Sequence, residues 1–321
     1  MNVGIVGTGG MGRVHARQYS KMPEIELFAF DSDADRAAAY SEATGAILVD
    51  SYEDLLQSVD AIDICLPTHL HLEFASQSLR SGKPTLCEKP MCRSVAEARE
   101  LALLVKDLGV PFMPAQVVRF FPEFRKAHDL VTSGAIGRPA AIRTRRCGRH
   151  PQGAGGWFAN RELSGGVLLD LAIHDFDWIR WTFGEVERVF SQTLPFSDGL
   201  AIDYSLTTLT LASGAIAHVE GSWADPAGFR AAFEVAGSEG FFEYDSRLSV
   251  PLRTTTASGS AIESPMLPSD DPYFLQIGGF LDGIATGIMP VTAEDGMQAV
   301  AIAEAAINSA KTGLAIEPRR N

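Results

Sequence analysis

Two stretches of this 321-residue sequence combine residue types that can handle a proton on an alcohol. The first is Cys87-Glu88-Lys89-Pro90, which sets two charges on a turn directly after a short apolar run. A lysine there can hydrogen-bond a substrate hydroxyl, and its charge stabilises an alkoxide as hydride leaves the same carbon. Taken alone, Glu-Lys-Pro is also an ordinary charged loop. The second stretch runs from Ser164 to Trp181, an apolar segment with a narrow polar stripe. In a continuous helix Asp170, His174 and Asp177, spaced by four and three residues, share one face. A carboxylate beside the imidazole orients it and raises its proton affinity, which suits a general base acting on a hydroxyl near neutral pH. A surface ion-pair stripe has the same spacing, but the apolar surroundings argue against full exposure.

Hydride chemistry needs a redox partner, and Gly7-Thr8-Gly9-Gly10-Met11-Gly12 supplies a place for one. It is G-x-G-x-x-G directly after the strand-like Val3–Val6 and at the opening of a helix. Gly7 permits the tight turn, Gly9 lets a pyrophosphate approach the backbone, and Gly12 lets helix and strand pack closely, while the helix N-terminus attracts phosphate. The next strand-like run ends in Asp31, 19 residues after Gly12, where an acid binds the adenosine ribose hydroxyls and repels a 2′-phosphate. NAD is therefore expected before NADP. Arg36, close by in the next helix, keeps NADP open, and Asp33 is a second acid able to replace or reinforce Asp31. The cofactor contacts expected are Gly7, Thr8, Gly9, Gly10, Met11, Gly12 and Asp31, with Pro67, Thr68, His71, Glu88 and Lys89 lining the channel further on. His69 and His71 can equally begin a surface helix. The run Arg143, Arg145, Arg146, Arg149 with His150 can read a substrate carboxylate, or form a solvated strand face or a subunit contact. Trp157, in the glycine-rich loop from Gly153, can pack or cover substrate.

These residues need elements to position them. Over the first 118 residues strand patterns at 2–6, 25–30, 61–66, 84–87 and 111–118 alternate with helical ones, the signature of a parallel sheet with crossover helices. Ser51 with Asp54 and Ser94 with Glu97 read as capping boxes, and Gly82 and Gly109 as helix ends. From about residue 136 the pattern changes to successive strands at 139–147, 186–194, 203–211, 215–223, 229–236 and 239–244. The clearest hairpin turns at Ala212-Ser213-Gly214. Helices at about 122–133, 167–183 and 296–311 would cover one face. The fold class expected is α/β: a Rossmann domain at 1–118, then a substrate-binding and oligomerisation domain at 119–321, of α+β type on a largely antiparallel sheet.

Composition narrows the partners. With 27 Lys and Arg against 40 Asp and Glu the net charge is −13, which repels nucleic acid and anionic membranes and favours a neutral polyol over an acid. The four cysteines, Cys65, Cys87, Cys92 and Cys147, have neither the spacing of a metal site nor the density of a disulfide scaffold, so no metal and a reducing compartment are expected. Met1 and Asn2 lead straight into Val3, leaving no room for a signal peptide, and no apolar run reaches membrane-spanning length. The reading is a cytoplasmic, unanchored protein.

Together these elements resemble the glucose–fructose oxidoreductase / inositol dehydrogenase (Gfo/Idh/MocA) family across nearly the whole chain. The resemblance rests on the glycine motif followed by Arg13 and His15, Pro67-Thr68-His69 with His71, Glu88-Lys89-Pro90, Arg119-Phe120 with Pro122, Gly137-Arg138-Pro139, and Gly165-Gly166 leading to Asp170 and His174. It implies Lys89, Asp170 and His174 as a catalytic trio, Lys89 and His174 handling the hydroxyl proton and Asp170 positioning substrate or histidine. It also implies a homodimer or homotetramer formed through the second-domain sheet. Ile173-His174-Asp175-Phe176-Asp177 looks most like inositol dehydrogenases. Three functions fit: an NAD-dependent dehydrogenase of polyols, inositols or sugars, a glycosidase that oxidises its substrate transiently with NAD, and a non-catalytic NAD-binding regulator, which would have no need of an intact trio.

Overall fold

A computed structural model describes residues 1–197, 200–248, 251–256, 259–263 and 271–318. The chain divides into two compact units. The first comprises Met1–Val117, Gly153–Trp157 and Asp271–Met297, and the second Val118–Gln152, Phe158–Asp270 and Gln298–Asn321.

In the first unit strands and helices alternate: β1 (Asn2–Val6), α1 (Gly10–Tyr19), β2 (Glu26–Phe30), α2 (Ala34–Thr44), β3 (Ile47–Leu48), α3 (Tyr52–Ser58), β4 (Ala61–Ile64), α4 (His71–Arg80), β5 (Thr85–Glu88), α5 (Val95–Leu108) and β6 (Phe112–Ala115). All pairings are parallel, in the order β3-β2-β1-β4-β5-β6. That is the doubly wound dinucleotide-binding order, which places ligands at the carboxyl ends of the strands. Every residue of β4, β5 and β6 is buried, as befits parallel strands covered on both faces. Ser51 and Ser94 cap α3 and α5 by accepting the N–H of Asp54 and Glu97, and Gly109 ends α5 in the left-handed region. Two details differ from the sequence expectation. β3 is a two-residue strand too short to leave a pattern, and the strand expected at 111–118 stops at Ala115, beyond which 117–120 turns into a 3-10 helix.

The second unit contains α6 (Pro122–Thr132), β7 (Pro139–Cys147), α7 (Arg161–Ser164), α8 (Gly166–Asp170), α9 (Ile173–Phe183), β8 (Val186–Ser197), β9 (Leu200–Leu211), β10 (Ile216–Ser222), β11 (Arg230–Gly237), β12 (Gly240–Asp245), β13 (Leu252–Thr256) and β14 (Gly259–Glu263). Its sheet runs β14-β13-β12-β11-β7-β10-β9-β8, antiparallel except between β7 and β10. Gly214, at φ +84°, makes the expected hairpin turn. The polar runs of β13 and β14 carry little apolar alternation and were not foreseen. Of two further helices, α10 (Pro272–Thr286) belongs to the first unit and α11 (Ala293–Thr312) begins in the first and continues in the second. Along β7, Ile142, Thr144 and Arg146 point inward while Arg143 and Arg145 face solvent. The inward face meets an aromatic core in which Trp178 lies 5.1 Å from Phe124 and 5.0 Å from Phe233, ring centre to ring centre. Among the described residues no helix is long and apolar enough to cross a membrane.

The helix expected over 167–183 is broken. The N–H groups of Leu171 and Ala172 both donate to the Val167 carbonyl, at 3.0 and 2.9 Å, and α9 starts afresh at Ile173. Gly165 and Gly166, at φ +77° and +71°, make the turn that opens α8, a conformation that disfavours any side chain.

Candidate active site

The glycine loop has the form a dinucleotide requires. Gly7 adopts φ +95°, and a Cβ there would lie 2.6 Å from the Cys65 carbonyl oxygen. A Cβ at Gly12 would overlap the Gly7 carbonyl oxygen, whereas Gly9 and Gly10 face open space. No side chain caps α1, so its leading N–H groups are available to phosphate oxygens. The Tyr40 hydroxyl donates to the Gly12 carbonyl at 3.1 Å and pins the helix from α2. Asp31, at the end of β2, accepts from Thr8 N and Oγ1 at 2.8 Å, from Asp33 N at 3.0 Å and from Arg36 Nε and a terminal guanidinium nitrogen at 3.1 Å. Burial alone would push its pKa up, but the hydrogen bonds from Asp33 and Thr8 and the Arg36 charge hold it below the usual range. The Asp33 carboxylate caps α2 and pairs with Arg36 at 3.2 Å.

Two loops follow β4 and β5 at the carboxyl edge. After β4, Pro67 leads into a 3-10 turn with Thr68 buried. His71 is buried, with Nδ1 2.8 Å from the Pro90 carbonyl oxygen and Nε2 2.8 Å from that of Leu66. A neutral ring has one N–H, so His71 donates to one of these two carbonyls while lying against both loops. Burial lowers its pKa. After β5, Glu88 is also turned inward, accepting the Lys89 backbone N–H at 3.0 Å. Lys89 stands on the turn between Glu88 and a cis peptide to Pro90. His69 is exposed, its ring 6.4 Å from that of Trp157.

In the second unit Asp170 closes α8, buried, and the half-buried His174 lies in the first turn of α9. The face expected over all three residues is interrupted because the helix breaks between Asp170 and Ile173, which leaves His174 and Asp177 together on α9. The Asp177 carboxylate is held by buried Arg119 through bonds of 2.8 and 2.6 Å. The arginine run is likewise occupied. Arg146 is buried on Asp175 at 2.7 Å, Arg143 and Arg145 pair across strands with Glu234 and Glu220 at 3.0 Å, and Arg149 donates to the Pro226 carbonyl. The reading of this run as a carboxylate receptor gives way to these pairs. Arg143, Arg145, Arg230 and Arg253 with Glu220 and Glu243 line a cavity of about 320 Å³ at the sheet.

Residues 1–116 match the model of an oxidoreductase family with an NAD-binding Rossmann fold, and residues 124–243 match the GFO/IDH/MocA C-terminal domain. The chain belongs to the GFO/IDH/MocA family. An uncharacterized oxidoreductase of Bacillus subtilis is 30% identical over 98% of this chain and 95% of its own. The inositol 2-dehydrogenase of Rubrobacter xylanophilus is 29% identical over 97% of this chain and 91% of its own. Among solved structures, GenD2 from gentamicin A biosynthesis, in complex with NAD, superposes with a TM-score of 0.89 at 26% identity, covering 99% of this chain and 96% of that one. This GFO/IDH/MocA protein is therefore an oxidoreductase built on a nicotinamide-dinucleotide fold.

Two features of this family member escaped the sequence reading. Gln116, just past β6, is fully buried with neither amide atom hydrogen-bonded, leaving open capacity at the edge where such sheets bind ligands. The second is a charged cluster beneath the glycine loop, where His15 lies between Asp63 and Glu88. Asp63 was the available signal for it: one carboxylate in the otherwise apolar β4 must have a buried partner. His15, Asp63 and Cys65 bring potential metal-ligand atoms within 4.8 Å of one another. Burial pushes the Cys65 thiol up to about 12, so it stays protonated, and the Asp63 carboxylate already accepts from the His15 ring and the Tyr19 hydroxyl. The cluster is a hydrogen-bonded one.

Proposed function

We propose that this enzyme interconverts a secondary alcohol of a polyol, inositol or sugar-like substrate and the matching ketone, with NAD as its redox partner. The observation that carries the reading is the Glu88-Lys89-Pro90 turn, standing at the carboxyl end of β5 in the sheet whose β1 leads into the glycine loop. Bound NAD supplies the hydride acceptor. The uncapped start of α1 and the open space at Gly9 fit its pyrophosphate, and Asp31 fits its ribose hydroxyls and opposes the extra phosphate of NADP.

Lys89 donates a hydrogen bond to the reacting hydroxyl and steadies the alkoxide with its charge. His174 shares that hydroxyl proton, and Asp170 positions the imidazole or a neighbouring hydroxyl. The internal pairing of the arginine run supports a neutral substrate. The open face of the second-unit sheet, where cross-strand ion pairs meet the exposed side chains of Leu206 and Ile216, is our assignment for the contact of a homodimer or homotetramer.

The test is NADH appearance when protein and NAD meet a panel of inositols, aldoses, uronic acids and sugar amines. Turnover with neutral polyols, abolished in Lys89→Ala while NAD still binds, is the expected result. Tight NAD binding with no net NADH from any alcohol would refute the dehydrogenase and shift weight to transient redox in a glycosidase, or to a regulator.

A further inference from the structure

His15 is fully buried on the inner face of α1, yet it takes no part in the hydride chemistry or in the phosphate cradle. Its Nδ1 donates to Asp63 Oδ2 at 2.8 Å, and its Nε2 lies 3.2 Å from Glu88 Oε1. The other oxygen of Glu88 accepts the backbone N–H of Lys89. A chain of contacts therefore runs from the glycine-loop helix through one imidazole to the turn that carries the catalytic lysine. The remaining groups around the ring are Cys65 after β4, Tyr19 on the same helix, Tyr40 on α2 and Tyr273 on α10. None of these is a cation, and a further positive charge acting on Glu88 is that of Lys89 itself.

We propose that His15 is a positioning residue: as a buried imidazolium it anchors the Glu88 carboxylate beneath the Lys89 backbone N–H and so holds the Lys89 ammonium where the substrate hydroxyl is bound. The inference rests on the dehydrogenase reading for its kinetic consequence. Burial, the largest single influence, opposes charge on His15, but Asp63 and Cys65 together outweigh it and the ring pKa is raised well above 6.5. Burial likewise opposes charge on Glu88, while the His15 ring 3.2 Å away, the Lys89 charge and the Lys89 backbone N–H hold its pKa below the ordinary carboxylate range. Remove the imidazolium, and only the Lys89 charge and backbone N–H still oppose desolvation, so the Glu88 pKa rises and its carboxylate loosens its grip on the turn.

The experiment compares wild type with His15→Gln, Glu88→Gln and the double variant, reading kcat and KM for substrate and NAD across pH. His15→Gln is expected to lower kcat more than it raises KM for NAD. Its acid limb should move up by at least about one pH unit, a loss of roughly ten-fold at the acid end. Because both residues act through one contact, the double variant should lose little beyond Glu88→Gln alone. A uniform loss across pH, or losses that multiply, overturns the proposal. Should His15→Gln not fold, His15→Gln with Asp63→Asn removes one charge of each sign and leaves Glu88 equally without the imidazolium. A second arm needs no turnover: with 13C-labelled glutamate, Glu88→Gln identifying the signal, Glu88 should titrate at higher pH without His15. An unchanged titration overturns the positioning role even if no alcohol is oxidised, whereas a raised titration in a protein that oxidises none refutes only the dehydrogenase reading.

Discussion

Asp177→Asn separates a structural carboxylate from a catalytic one. Both partners of the Arg119–Asp177 pair are nearly inaccessible, with side-chain exposures of 5% and 1%, and two bonds of 2.6 and 2.8 Å join them. The guanidinium also lies 5.4 Å from the centre of the Trp181 ring. Neutralising Asp177 removes a hydrogen-bonded carboxylate from a buried cation, a change that destabilises by about 3–5 kcal/mol. For a unit of this size each kcal/mol lowers Tm by about 2–4 °C, so a fall of roughly 6–20 °C is expected. Circular-dichroism melting measures it. Arg119→Met with Asp177→Leu removes both charges and should recover much of the loss, since well-packed apolar replacements of buried pairs are often neutral. A fall below about 1 kcal/mol together with lost turnover would refute this reasoning and return Asp177 to the service of His174.

Three further outcomes are expected. Asp31→Ser should weaken NAD by roughly 10- to 100-fold, the worth of hydrogen bonds to a charged group, and free Arg36 to favour NADP; equal losses for both cofactors in a fluorescence titration would contradict the ribose assignment. Gly12→Ala should lower Tm and abolish NAD binding because its Cβ overlaps a backbone oxygen, while Gly10→Ala, facing open space, should melt like the wild type. Tm should fall on both sides of neutrality. Asp31 and Glu88, with depressed pKa values, contribute stability that is present above their ordinary values of 3.8 and 4.5 and lost as pH falls through the depressed ones. His15, with a raised pKa, contributes stability that is whole below 6.5 and lost as pH rises through its raised value. Melting from about pH 3 to about pH 10 should show a flatter alkaline limb in His15→Gln, and an identical limb would argue that the ring is neutral in the folded protein.

The sequence by itself determined the features whose cause is local. The turn at Gly7, the capping boxes at Ser51 and Ser94, the stop at Gly109 and the alternation along β7 follow from backbone freedom, short-range hydrogen bonds or the two-residue period of a strand. The parallel order around β1 follows in turn from crossover helices that return the chain to a neighbouring strand, except between β3 and β4, where the chain crosses back to the other side of β1. Only the tertiary structure decided which charge meets which. Arg119 finds Asp177 across 58 positions, Arg146 finds Asp175 across 29, and His15 gathers Asp63 and Glu88 from β4 and β5. It also decided that the Asp170–Asp177 segment breaks into two helices and that Asp177 meets Arg119. Spacing in sequence fixes neighbours on one element. Burial is a property of the packed molecule, and a buried charge takes whichever partner packing brings within reach.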